Sequence, residues 1–92
     1  MAETITVEVK DPVGLYLTPA TVLVNIANNF YSDVKMIYEK KEVNLKSMMA
    51  VISLGVPTKA ILSIQASGDD ELAVIAEMKK AITSSDIGVI LH

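Results

Sequence analysis

The chain has 92 residues, no cysteine and one histidine, and its eight cationic side chains are all lysines against eleven carboxylates, giving a net charge of -3. Without thiols or an interior imidazole, disulfide frameworks, thiolate nucleophiles, Ser-His-Asp triads and the usual zinc sites are excluded, so no metal or cofactor is expected. The acidic balance, with a pI near 4.9, also argues against a nucleic-acid partner or a basic membrane-surface patch.

One domain spanning residues 1–92 is expected at this length. The opening MAETITVEVKD lacks the apolar region of a signal peptide, and no stretch reaches the roughly 18 apolar residues of a membrane span. A cytoplasmic location is the expectation.

Ile5, Val7 and Val9 alternate with polar residues and predict a first strand, ended by Asp11-Pro12-Val13-Gly14. Thr18-Pro19 predicts a helix start, with Thr18 as the cap and Pro19 in the first turn. Ala20, Leu23, Val24, Ala27 and Phe30 then form one stripe, widened by Val22 and Ile26, before Asn28 and Asn29 at the fraying end. Val34–Tyr38 and Glu42–Leu45 read as a strand pair joined through Glu39-Lys40-Lys41, a connector lacking the favoured Asn-Gly or Asp-Gly turn.

Ser47 as cap and Gly55 as stop bracket a short helix over 48–54. Ala60–Ala66 predicts a further strand, and Asp69 and Asp70 suit the start of a last helix. That helix is expected to bury Leu72, Ile75, Met78, Lys79 and Ile82 on one side, with Val74 and Ala81 adjoining. The order strand, helix, strand, strand, helix, strand, helix predicts an α+β domain with helices on one face of a small sheet. The apolar tail within 85–92, Ile87 to Leu91, could pair as an edge strand, pack on the domain, drive self-association or stay disordered.

Two loops lead into helix starts, one through Gly14 to Ala20 and one through Asn44 to Met49. Helix N-termini can hold an anion without arginine, so both are candidate phosphate positions; the plainer alternative makes Thr18 and Ser47 ordinary caps. The segments GLYLTPATVLV, VNLKSMMAVISLGV and ILSIQASGDDE resemble the HPr family, small phosphocarriers of the bacterial phosphoenolpyruvate-dependent sugar phosphotransferase system. The resemblance runs from Ile5 to about Ser84. It implies an open-faced sandwich, a four-stranded antiparallel sheet with helices on one face in the order β-α-β-β-α-β-α.

The resemblance also implies site residues. The family's acceptor loop reads Gly, aliphatic, His, Ala, Arg, Pro, Ala; here Gly14, Leu15, Pro19 and Ala20 match, whereas Tyr16 stands at the histidine position, Leu17 at the alanine and Thr18 at the arginine. A phenol, which ionises only in strongly alkaline water, is a poor substitute for an imidazole that accepts and releases a phosphoryl group. The loop Tyr16, Thr18, Pro19 is therefore read as degenerate, with no intact catalytic residue. Docking to Enzyme I and to EIIA is in doubt accordingly.

Ser47 matches the serine that the family's bifunctional HPr kinase/phosphorylase modifies. Leu15, Tyr16, Leu17, Thr21, Lys46, Met48, Met49 and Ile52 map to the family's partner-docking face. Three functions fit: a regulatory protein acting through Ser47, in the manner of His-less catabolite-repression HPr-like proteins that dock on a catabolite control regulator; a phosphocarrier with an altered loop; or an interaction module independent of phosphorylation.

Overall fold

A computed structural model describes residues 2–92. The first strand, β1 (Ala2–Val9), turns Ile5, Val7 and Val9 inward, each at most 2% exposed. After it come α1 (Leu17–Asn28), β2 (Asp33–Tyr38), β3 (Lys41–Asn44), α2 (Met48–Ser53), β4 (Ile61–Ser67), α3 (Glu71–Ser84) and β5 (Gly88–Ile90). The strands lie in the order β3-β2-β4-β1-β5, every neighbouring pair antiparallel. Three helices cover one face of this sheet, as expected of an open-faced sandwich, and Leu23, Ala27, Met78 and Ile82 pack over Ile5, Met36 and Ile64.

The sheet has five strands rather than four because the tail pairs with β1, matching Val7 with Ile90 and Val9 with Gly88. A helix-ending turn makes the reversal. Asp86 takes a left-handed φ of 53°, and the Ile87 amide returns to the Ile82 carbonyl at 3.0 Å, burying Ile87 against the helix it has just left. The tail is thus an edge strand.

Two expected details are corrected. Thr18 does not cap α1: Tyr16 is extended, at φ -94° and ψ -167°, and its carbonyl accepts from the Ala20 amide at 3.0 Å, so the helix begins at Leu17. Pro19 is then the third helical residue, where an absent N–H still costs no intrahelical bond. In α3 the buried stripe is centred on Val74, Met78 and Ile82, spaced by four, with Ile75 beside it; that rotation turns Leu72 and Lys79 out to solvent.

Between β2 and β3, Tyr38 pairs with Lys41, so the connector is Glu39-Lys40 alone, both left-handed at φ 50° and 69°. This is the backbone that Asn-Gly normally supplies. At the start of α3, Asp70 accepts from the Tyr31 amide at 2.8 Å, the Ser32 amide at 2.9 Å and the Ser32 hydroxyl, fastening the α1–β2 loop to the helix. The Ser32 hydroxyl first, and the Tyr31 amide next, hold the Asp70 carboxyl below its ordinary value of 3.8. Gly68 permits the approach, since a Cβ there would lie 2.6 Å from Ser32 Oγ.

Candidate functional site

The first loop is held by Gly14, which sits at φ 90° with its α-carbon against the loop between α2 and β4. A Cβ at this position would lie 2.6 Å from the Val56 carbonyl oxygen, so only glycine fits. The next amide, of Leu15, donates to that same carbonyl at 2.9 Å. These two contacts bring the Tyr16 loop beside the end of α2.

Leu15 is only 5% exposed and supports this surface from below. Its side chain also reaches the lining of the groove formed there. Tyr16 and Leu17 are 40% and 64% exposed, and with Val13, Ile52, Gly55, Val56 and Pro57 they line an open groove of about 490 Å³. Thr18 is exposed on the first turn of α1, and Pro19 is buried.

The Thr21 hydroxyl donates to the Leu17 carbonyl at 2.6 Å and lies 4.0 Å from Met48 Sδ, so it joins α1 to the first residue of α2. Met49 is 83% exposed. Loop and helix thus present Tyr16, Leu17, Met49 and Ile52 to solvent, with Thr21 and Met48 at the seam between α1 and α2.

Ser47 begins α2 as the sequence predicts. Its Oγ accepts from the Ala50 amide at 3.3 Å, satisfying one otherwise free donor of the first turn, and its carbonyl accepts the first helical bond, from the Val51 amide at 3.1 Å. The hydroxyl belongs to a half-buried residue.

Lys46, the residue before Ser47, is half-buried. Its ammonium donates to the Phe30 carbonyl at 2.9 Å, just past the end of α1, where the helix dipole favours a cation. Asn28 and Asn44, which the sequence reading did not single out for this region, complete the local bonding: Asn28 Nδ2 donates to the Lys46 carbonyl at 3.1 Å, and Asn44 Oδ1 accepts from the Lys46 amide at 2.9 Å. An asparagine at the start of the loop that leads into α2, two residues ahead of Lys46, is the available signal for the second. For Asn28 there was none, because its partner is 18 residues away.

The two loops therefore offer a phenol hydroxyl at Tyr16 and an alcohol hydroxyl at Ser47, with no imidazole in either segment. No helix among the described residues is long and apolar enough to cross a membrane.

A family model described as the PTS HPr component phosphorylation site matches residues 3–84. The histidine-containing phosphocarrier protein of Mycoplasma superposes with a TM-score of 0.90 at 31% identity, covering 98% of this chain and 100% of that one. HPr-C-His from Thermoanaerobacter tengcongensis gives 0.84 at 35%, over 89% of this chain and 92% of its own. Crh of Bacillus subtilis, a catabolite repression protein described as a swapped, intertwined dimer, gives 0.69 at 35%, over 84% and 88%. With a family match across most of its length and relatives above 30% identity over nearly whole chains, this chain belongs to the HPr family of phosphotransferase-system phosphocarriers, which are not enzymes.

Proposed function

We propose that this chain is a regulatory HPr protein that does not relay phosphate through histidine and is controlled by phosphorylation of Ser47. One observation carries the reading: in the loop that matches the family's acceptor segment, Gly14 packs on Val56 and Tyr16 opens α1, so the side chain presented there is a phenol. The scaffold is maintained without its nucleophile, and the second loop keeps its serine at the head of α2.

In the proposed reaction Ser47 Oγ attacks the γ-phosphorus of a nucleoside triphosphate on a serine kinase of the HPr kinase/phosphorylase type. The Oγ–P bond forms, the bridging β–γ P–O bond breaks, the nucleoside diphosphate leaves and the hydroxyl proton passes to a base on the kinase. The product gains roughly -1.5 to -2 charges close to the exposed Met49, on the helix whose other end lines the apolar groove. An apolar surface with a new dianion at its side suits a partner that pairs cationic and apolar side chains. The partner of this reading is a catabolite control regulator, a role supported by the likeness to Crh, which is described as a catabolite repression protein.

Parallel incubations read by intact mass test the proposal. The kinase with nucleoside triphosphate should add one phosphate, lost in Ser47→Ala, and Enzyme I with phosphoenolpyruvate should add none. Phosphate arriving from Enzyme I, or its absence after kinase treatment, would overturn it.

A further inference from the structure

Lys46, immediately before the candidate acceptor, has every polar group engaged within the molecule. Its amide is held by Asn44 Oδ1, its ammonium by the Phe30 carbonyl and its carbonyl by Asn28 Nδ2. The Ser47 amide adds a bond to the Asn44 carbonyl at 3.0 Å. The approach to the serine is thus fastened to the end of α1 at two points, through Asn28 and through the lysine ammonium.

Asn28 contributes in a particular way. Its Nδ2 donates both to the Val24 carbonyl of its own helix, at 2.9 Å, and to the Lys46 carbonyl, at 3.1 Å. One NH₂ group with two hydrogens meets both demands, which neither a carboxylate nor an alkyl side chain can do. Asn28 is solvent-exposed, so water could satisfy its amide equally well. What the second bond adds is a fixed position for the loop.

We propose that Asn28 is a positioning residue for phosphorylation of Ser47, an inference that rests on the reading above. In-line phosphoryl transfer needs the acceptor oxygen held in a narrow range of positions. With Asn28 in place, Ser47 sits at φ -104° and ψ 111° with its hydroxyl directed back to the Ala50 amide. Without it, the remaining tether from the loop to the end of α1 is the Lys46 ammonium, on a flexible four-carbon stem. A substrate whose productive loop conformation is populated only part of the time binds with affinity reduced by that fraction. The loss therefore falls on KM, whereas kcat, set once the serine is seated, is unchanged.

The test compares Asn28→Leu, similar in shape without donors, with Asn28→Gln, which keeps the NH₂ on a longer stem. KM and kcat for Ser47 phosphorylation are measured with an HPr-type serine kinase and nucleoside triphosphate, alongside amide exchange at Lys46 and Ser47 and the thermal midpoint. Asn28→Leu should raise KM about fivefold, the ratio one neutral hydrogen bond controls, with unchanged kcat and faster exchange at the two amides. Asn28→Gln should recover part of the loss. An Asn28→Leu chain with wild-type KM overturns the inference, as does an equal loss in both variants that tracks their thermal midpoints. A wild-type chain that gains no phosphate overturns the regulatory reading and this inference with it, so the two failures are distinguishable.

Discussion

Asp70 shows what a single side chain can do outside the functional loops. Its carboxylate gathers three donors from Tyr31 and Ser32, and its folded pKa lies below the ordinary 3.8 that it regains on unfolding. A depressed carboxylate pKa stabilises the fold in full above the unfolded value, and the contribution is lost as pH falls through the folded one. Asp70→Asn places an amide opposite N–H donors and should lower the urea midpoint at pH 7. That deficit relative to wild type should hold down to pH 5 and shrink below about pH 4; a deficit unchanged at pH 3 would exclude the mechanism. The clasp was not legible beforehand because its partners are 38 and 39 residues apart. Ser47 was, because a helix cap is written within four residues: its hydroxyl needs only the Ala50 amide. Tyr16 was legible as a departure from a motif, but its place as the residue before α1 depended on backbone angles that Thr18-Pro19 misrepresented.

Among the elements, the β2–β3 connection stands against local preference. Glu39 and Lys40 both hold left-handed φ values, a conformation costing roughly 1–2 kcal/mol for a residue with a Cβ. Glycine removes that strain at Lys40 and returns roughly 0.5–1 kcal/mol as lost chain entropy. Lys40→Gly should therefore stabilise the protein by about 0.5–1 kcal/mol, read as a higher urea midpoint with an unchanged denaturant slope. A lower midpoint would show that the turn is not the strained point. The strands on either side were readable from alternation, since Val34, Met36 and Leu45 are buried while Asp33, Lys35 and Asn44 face solvent. Helix α3 was readable as a helix, but its rotation was not: Leu72 and Ile75 fit one apolar stripe as well as Val74 and Met78 fit another, and packing chose the second.

At the scale of the whole molecule, the layering followed from the order of elements, whereas the strand order and the fifth strand did not. Ile87 to Leu91 is apolar enough for several fates, and the deciding contact is the return of the Ile87 amide to Ile82 with Asp86 left-handed, a position more often held by glycine. That turn changes the status of β1. In a four-stranded sheet with the same order β1 would be an edge; here it lies between β4 and β5, and the Leu91 amide bonds the Thr6 carbonyl at 2.8 Å on the β5 side. Where it is flanked on both sides, at Val7–Val9, the strand cannot peel away alone, so those amides should exchange with solvent only when the entire domain opens. Deuterium uptake at Val7 and Val9 should therefore report the global unfolding free energy and fall with it in urea; uptake insensitive to urea would mean that β1 detaches by a local route. The same restraint bears on strand exchange between copies, because releasing β1 would mean giving up two ladders at once. The three residues of β5 thereby act as a kinetic latch on the opposite end of the sequence.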